Sequence, residues 1–520
     1  MRLDKWEQIL NQIPTEPAPA AFSKTLAAYK QEFDLPDFLS ELAGLEWKLR
    51  QAVSRKSKIP SKVERLSINP TLQLHRVSWK HLSSLLMAEG NISSRTPEPG
   101  EEFIFVWLNP QTGTVRAEAA TDWDLLALKM VMEGIDPEEA ASEGNVSMRT
   151  IDGIVDEAIK KGLILSPPSG LRRDVGSFPA APDTDEIFLS SPVFTLQWHI
   201  TQACDLHCRH CYYRSDRSTL KLEQAIRVLE DLRDFCQNRH VRGQVSFTGG
   251  NPFLYPHFSE LYRAASEKGF ALAILGNPVP REWLEELISI QTPIFYQVSL
   301  EGLAEQNDAV RGPGHFKRVI HFLDVLRGLK IYSMVMLTLT RDNMDQVLPL
   351  GRFLMDRANS FAFNRLSQVG EGSSLKLPEP DPYRRFLRAY VEAAASNPIL
   401  AFKDNLINIL HHQEGKPLFG GCCGYGCGAA FNFMAVLPDG EAHACRKFPS
   451  LIGNVFEQTI AEVYDSESAR HHRAGSKACQ SCSIRPVCGG CPAIVHGYGL
   501  NVMTDRDPYC FMEERKSVRL

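Results

Sequence analysis

Apolar and polar positions along the chain follow different periods in different stretches. Phe38, Leu39, Leu42, Leu45 and Leu49 recur at helical spacing, with Trp47 at the edge of that face, and residues 1–95 read as a helical front domain. Asn91 to Glu102 is rich in Ser, Pro, Gly and Glu and reads as a linker. Two short apolar runs follow, Phe103–Leu108 and Thr114–Ala119, joined by Asn109-Pro110-Gln111-Thr112-Gly113, which is a hairpin signal. A helix from about Asp122 to Glu133 comes next, then a short one starting near Pro137. A third helix carries Ile151, Ile154, Val155, Ala158 and Ile159, with Ser147 as its N-cap and Gly162 just past its end. A hairpin followed by three helices makes residues 100–166 a winged-helix-like module.

Residues 167–190 hold several prolines and small residues and read as a second linker. Beyond it, strand and helix periods alternate. The strands fall at Phe194–Ile200, Gln244–Phe247, Ala271–Leu275, Ile294–Leu300, Tyr332–Leu339 and Ser360–Asn364, with amphipathic helices such as Leu222–Phe235 between them. Six such repeats predict parallel strands and a partial (β/α)6 barrel over residues 191–400, an α/β fold, followed by a Cys-rich segment over residues 415–515.

Length agrees with several domains: 520 residues exceed one ordinary core. A hydrophobic content of 43%, a charged content of 23% and a net charge of -5 are those of a globular protein, and they argue against a nucleic-acid footprint spread over the chain. The first ten residues are charged and amphipathic around Trp6, Ile9 and Leu10 with no apolar run behind them, so no secretory signal is expected. No apolar stretch approaches the roughly 20 residues of a membrane span, and a cytoplasmic location without membrane contact is expected.

Thirteen cysteines change the picture. Without a signal peptide they point to metal or redox chemistry rather than disulfides. None precedes Cys204, and nine lie between Cys422 and Cys510. Directly after the first barrel strand, Cys204, Cys208 and Cys211 sit on one loop, so three thiolates can grip one cluster and leave a fourth iron without a protein ligand. A structural zinc site would need a fourth ligand, which His207 or His210 could supply, but the C-terminal end of a barrel strand is where active sites belong. Cys236 lies on the apolar side of a helix and reads as core.

This loop, in this position, resembles the radical S-adenosylmethionine superfamily over roughly residues 190–370. The resemblance implies that the open iron binds the amino and carboxylate groups of S-adenosylmethionine, and that an electron from the cluster cleaves the sulfonium to a 5'-deoxyadenosyl radical. It also implies a cofactor site formed by His210, Gly249, Gly250, Asn251, Pro252, Asn277, Ser299 and Arg311, with Asn251 standing where the family has Glu. An arginine fork suits a carboxylate, and a serine offers one hydroxyl.

The later cysteines run Cys422, Cys423, Cys427, then Gly440 and Cys445, then Cys479-x2-Cys482-x5-Cys488-x2-Cys491 and finally Cys510. They resemble the SPASM extension, which implies two auxiliary 4Fe-4S clusters. The last short interval is two residues where the family has three. By the family pattern Cys427, Cys445 and Cys491 hold the first cluster with Cys422 or Cys423 as fourth ligand, and Cys479, Cys482, Cys488 and Cys510 hold the second. In isolation, paired Cys-x2-Cys units read equally as zinc ribbons.

Residues 103–165 resemble the PqqD-type element that binds leader peptides in ribosomal peptide biosynthesis. That resemblance implies β-augmentation by an extended leader at an exposed edge of the hairpin sheet. The expected protein is therefore a radical peptide maturase forming thioether, azole-type or cross-link bonds in a precursor peptide, fed by an external electron donor such as flavodoxin or ferredoxin. The Cys-Cys-Gly-Tyr-Gly-Cys stretch and the helical front resemble maturases of thio(seleno)oxazole modification. Two alternatives stand beside it: a sulfatase-maturase-like enzyme forming formylglycine, and an iron-sulfur DNA-binding regulator, against which Asp152, Asp156 and Glu157 on the third helix of the module argue. His199, His207 and His210 flank the cluster loop as tuning or shielding groups. His411, His412, His471 and His472 read as solvated pairs, Tyr212, Glu371 and Tyr425 as candidates near substrate, and no residue is assigned a catalytic acid or base role.

Overall fold

The computed structural model describes residues 35–54, 59–87, 96–180, 184–212, 214 and 217–512, together with Ser23, Lys24, Leu26 and Ala27. The amphipathic first ten residues and positions 91–95 of the expected linker lie outside the described residues. The chain divides into two compact units after Pro168.

In the first unit, helix α1 (Leu39–Val53) is followed by β1 (Ser67–Ile68), β2 (Gln73–Lys80), the short helix α2 (Leu82–Leu86), β3 (Glu98–Leu108), β4 (Val115–Ala119), helices α3 (Asp122–Glu133), α4 (Pro137–Glu143) and α5 (Met148–Lys161), and β5 (Ile164–Leu165). Two expectations need correcting. Residues 73–80 of the supposedly helical front form a strand, and Glu98–Glu102 of the supposed linker are the first half of β3, with Lys80 opposite Glu98 and Val77 opposite Glu102. Alternating polar residues suit an edge of a sheet, and a neighbouring strand satisfies the backbone whatever the side chains are.

The run Phe103–Leu108 lacks alternation because both faces of β3 are covered. Ile104 and Val106 pack with Leu45, Ala52 and Val77 on the α1 side. Phe105 and Trp107 pack with Ala127, Ala158 and Leu163 on the other. The Asn109 carboxamide accepts from the Gln111 and Thr112 amides, which sets the hairpin turn. Ser147 caps α5, and Gly162 closes it in the left-handed region at φ 78°.

The second unit holds the six parallel strands β6 (Val193–Thr201), β7 (Arg242–Gly249), β8 (Ala271–Leu275), β9 (Tyr296–Ser299), β10 (Ser333–Leu339) and β11 (Ser360–Arg365), in sequential order. Helices α6 (Leu222–Asn238), α7 (Phe258–Glu267), α8 (Arg281–Ile290), α9 (Ala304–Arg311), α10 (His315–Gly328), α11 (Val347–Leu354) and α12 (Pro380–Ala394) alternate with them, giving a partial (β/α)6 barrel. The sheet does not stop there. Strand β12 (Phe433–Val436) from the Cys-rich segment pairs in parallel with β6, Phe433 opposite Thr195 and Val436 opposite Trp198, and β13 (Glu441–His443) and β14 (Leu451–Asn454) extend it antiparallel.

Each barrel strand sends one face to the helices. Phe194 meets Phe235, Phe247 meets Phe258, Tyr296 meets Phe322, and Phe363 meets Tyr390. Strand side chains alternate, so the intervening Gln197, His199, Ser246, Thr248, Gln297, Ser299 and Asn364 occupy the opposite, concave face. That face is polar.

The second expected linker also differs. Leu171 is fully buried, Arg173 is buried, and the Gly170 amide donates to the Arg239 carbonyl at 2.7 Å. Proline and small residues argue against a helix; they do not argue against packing.

Candidate functional site: a three-thiol loop and a nine-thiol annex

The loop bearing Cys204, Cys208 and Cys211 begins three residues beyond β6, at the C-terminal end of the sheet. Its shape depends on two glycines of β7 and the turn after it. A side chain on Gly249 would lie 2.1 Å from the Thr201 carbonyl oxygen, and one on Gly250 would lie 2.2 Å from that of Ala203. The backbones touch, and the Gly250 and Asn251 amides donate to the Thr201 and Ala203 carbonyls at 2.9 and 2.8 Å. Glycine is required here by the approach of two main chains.

Asp205, inside the loop, was not singled out from sequence. Its Oδ1 accepts from Asn277 Nδ2 at 2.7 Å and from Asn251 Nδ2 at 3.1 Å, so the ends of β7 and β8 both fasten onto the loop. Asn277 Nδ2 also lies 3.6 Å from the Cys204 sulfur, and Tyr296 donates to the Asn277 carbonyl at 2.6 Å. Pro252 opens the short turn that Asn251 caps.

On the other side Arg311 places its Nη1 3.6 Å from the Cys208 sulfur. Its Nε and Nη2 donate to Glu301 at 2.8 and 2.6 Å. Glu301 is buried at the end of β9, where it also accepts from the Thr338 amide at 2.8 Å. Burial alone would raise the Glu301 carboxyl, but His210 and Arg311 outweigh it and hold it below its ordinary value. His210 Nε2 stands 3.3 Å from Glu301 Oε1, and His207 turns its Nδ1 to Arg214. His210 Nε2 and His207 Nδ1 are thus engaged by Glu301 and Arg214, and the three sulfurs are the thiol donors of the loop. Ser299 ends β9 on the concave face, and the Glu371 amide donates to the Cys211 carbonyl at 2.9 Å.

The nine later cysteines fall into two groups. Cys427 is pushed up to about 12 by burial and then by Cys491, Cys445 and Cys422. Cys479 is pushed up to about 11 by burial and then by Cys482 and Cys510; the same cause raises Cys488, beside Cys510, Cys482 and Cys479. The Cys422 and Cys423 sulfurs lie 3.7 Å apart, and the shared proton lowers Cys422 and raises Cys423. Cys479, Cys482, Cys488 and Cys510 line a cavity of about 920 Å³. Buried thiols that repel one another as anions form a poor core and a good ligand set for iron and sulfide, so these residues fit clusters. None of the thirteen cysteines is in a disulfide, and Cys236 is buried in the barrel core, where burial pushes it up to about 12.

Buried polar side chains gather these groups, and sequence spacing did not reveal them. Arg365, ending β11, donates to Asp404 at 2.8 Å and bidentately to Asp507 at 3.0 and 2.7 Å. Asp507 in turn accepts from the Cys491 amide at 3.0 Å and gives its carbonyl to the Cys510 amide at 2.8 Å. Asn408, in the helix α13 (Ile407–Gln413), donates to the Phe419 and Val487 carbonyls. Arg173, from the supposed linker, donates to the carbonyls of Tyr425 and Cys427 at 3.1 and 2.7 Å. The only hint in the sequence was the polar run Lys403-Asp404-Asn405 next to an apolar helix. His411, read as solvated, is buried and turns Nδ1 to the Pro417 carbonyl at 2.7 Å.

A three-thiol loop at the mouth of a parallel barrel, with a thiol-rich annex continuing the same sheet, defines an iron-sulfur enzyme of the radical S-adenosylmethionine type. Residues 198–354 match the Radical SAM superfamily, and residues 427–492 match SPASM, an iron-sulfur cluster-binding domain. Its cofactors are iron-sulfur clusters and S-adenosylmethionine. Among similar proteins, the antilisterial bacteriocin subtilosin biosynthesis protein AlbA of Bacillus subtilis is 25% identical over 313 residues, 56% of this chain and 66% of AlbA. The mycofactocin maturase MftC of Mycolicibacterium smegmatis is 27% identical over 62% of this chain and 83% of its own length. The crystal structure of Streptococcus suis SuiB bound to precursor peptide SuiA shares the fold, with a TM-score of 0.52 at 16% identity over 79% of this chain and 96% of SuiB. Among the described residues no helix is long and apolar enough to cross a membrane.

Proposed function

We propose that the protein is a radical S-adenosylmethionine maturase that modifies a ribosomally made precursor peptide. The observation that carries this reading is the join of β12 to β6, which builds the thiol-rich annex onto the strand that leads into the three-thiol loop. A substrate on the polar concave face then has both kinds of iron-sulfur site on one continuous sheet. Names of relatives agree: AlbA serves bacteriocin biosynthesis and MftC is a maturase.

Cys204, Cys208 and Cys211 would hold the radical cluster. When bound, that cluster and S-adenosylmethionine supply the 5'-deoxyadenosyl radical that takes a hydrogen atom from the peptide. The protein's own part is to orient and to shield. Asn277 and Arg311 direct N–H groups at two of the three sulfurs, which offsets thiolate charge. Ser299 and Arg311 stand at the mouth, where the family places cofactor contacts. Two groups of thiols, Cys422 to Cys445 with Cys491, and Cys479, Cys482, Cys488 with Cys510, would hold two auxiliary clusters. An external flavodoxin or ferredoxin would supply electrons.

Residues 100–166 would bind the leader as a PqqD-like module. Strand β2 already occupies the outer edge of β3, so within the hairpin the edge left for an added strand is that of β4. The bond formed in the peptide would be a thioether, an azole-type ring or a cross-link. The test is anaerobic reconstitution with reductant, S-adenosylmethionine and the peptide encoded beside the gene. Release of 5'-deoxyadenosine with a mass change in that peptide supports the reading. Release without any peptide change, while a sulfatase-derived Cys or Ser peptide gains formylglycine, favours the alternative.

A further inference from the structure

The first auxiliary group contains five thiols, Cys422, Cys423, Cys427, Cys445 and Cys491, whereas a four-iron cluster takes about four protein sulfurs. We propose that Cys422, positioned by Asn405, is the fourth ligand of this cluster and that Cys423 is a surplus thiol that binds no iron. The inference rests on the reading above, that these residues hold one auxiliary cluster.

Asn405 is buried, and its carboxamide does two things at once. Its Oδ1 accepts from the Cys422 amide at 2.6 Å, and its Nδ2 donates to the Gly490 carbonyl at 2.7 Å. One rigid side chain therefore ties the backbone of Cys422 to the residue preceding Cys491. The Cys422 carbonyl is held as well, by Lys403 Nζ at 3.2 Å.

Gly421 makes the approach possible. It sits at φ +67°, and a side chain there would lie 2.5 Å from both Asn405 Oδ1 and the Val487 carbonyl oxygen. Cys423 is fastened elsewhere: its carbonyl accepts from Asn432 Nδ2 at 3.1 Å, and its Cβ fills the space beside Gly428, 2.8 Å from where a side chain on that glycine would begin. Cys422 is thereby tied through Asn405 to the chain at Cys491, with the Cys423 sulfur 3.7 Å to one side of the Cys422 sulfur.

The experiment counts iron and sulfide in anaerobically reconstituted full-length protein, where three clusters give about twelve irons per chain. A wild-type count near four would sink the auxiliary sites themselves, before any variant is compared. With that count in place, Cys423→Ala keeps the wild-type iron and the wild-type reduced-state EPR spectrum, while Cys422→Ala loses about four irons. Asn405→Ala changes the EPR signal of the auxiliary site and leaves that of the radical-loop cluster unaltered. Loss of iron from Cys423→Ala, or full iron in Cys422→Ala, overturns the assignment. A second variant guards against a packing effect: Cys423→Val, which refills the space beside Gly428 and cannot bind iron, also keeps the wild-type iron count, and loss of iron from it overturns the proposal.

Discussion

The two thiol regions of the second unit gather their cysteines in opposite ways. The radical loop takes its three sulfurs from eight consecutive residues, and Cys204 is exposed. The annex takes nine from a span that opens at Cys422 and closes at Cys510, and most of its architecture is buried. Contiguous ligands need little beyond a loop of the right length and an anchor at each side. Dispersed ligands need separate backbone segments to be brought together, and buried polar groups do that work through Arg365, Asp404, Asn405, Asn408 and Asp507. The difference teaches that the loop should tolerate changes around it far better than the annex does.

The most severe break is Cys208→Ala. It should abolish 5'-deoxyadenosine formation and remove about four irons, with the annex clusters retained, as iron analysis and product chromatography will show. If the annex irons leave as well, the two regions are not independent.

Asp507→Ala attacks the annex alone. Arg365 would be left beside Asp404 with half of its partners gone, and removing one member of a buried ion pair costs about 3–5 kcal/mol. Thermal unfolding should begin markedly lower, and annex iron should fall while the radical-loop iron stays. An unchanged melting temperature would show that the Arg365–Asp507 pair holds nothing together.

Asp205→Ala is the corresponding change at the loop. It strands the two carboxamides of Asn251 and Asn277, a cost of about 1–3 kcal/mol. S-adenosylmethionine cleavage should slow, yet the cluster should still assemble, because its three ligands remain on one short segment. Failure to bind iron would contradict the contrast.

The smallest effect lies in the first unit, which carries no cysteine. Burial would raise the Asp124 carboxyl, but Lys161, at 2.8 Å, and the Thr121 cap overcome it and the net direction is down. A lowered carboxyl stabilises the fold above its ordinary value near 3.8 and loses that contribution as pH falls through the folded value. Acid unfolding followed by total tryptophan fluorescence should therefore steepen below about pH 4, and Asp124→Asn should flatten that slope at a cost of about 1 kcal/mol near neutrality.

Much of this was legible beforehand. Strands such as β6, β7 and β9 pair an apolar face with a polar one, β8 is a short apolar run, and period, length and the flanking helices placed all six to within a few residues. The three-thiol loop was legible because its cysteines fall within eight consecutive residues. Asp205 and Glu301 were not, since an acidic residue in a loop or at a strand end ordinarily signals only solvent. Residues 73–80 misled because β2 is an edge strand with polar alternation, and Arg173 misled because a proline-rich stretch looks unpacked.

Local order, then, determined the period of each element, the caps of α5 and the three-thiol loop, because all of these depend on neighbours a few residues apart. The tertiary structure alone decided that β12 pairs with β6, that β2 completes the first sheet, and that Arg365 and Asn405 gather distant cysteines. Those contacts join residues dozens to hundreds of positions apart, and their hydrogen bonds gain their strength only where burial removes water, a condition no short stretch of sequence can establish.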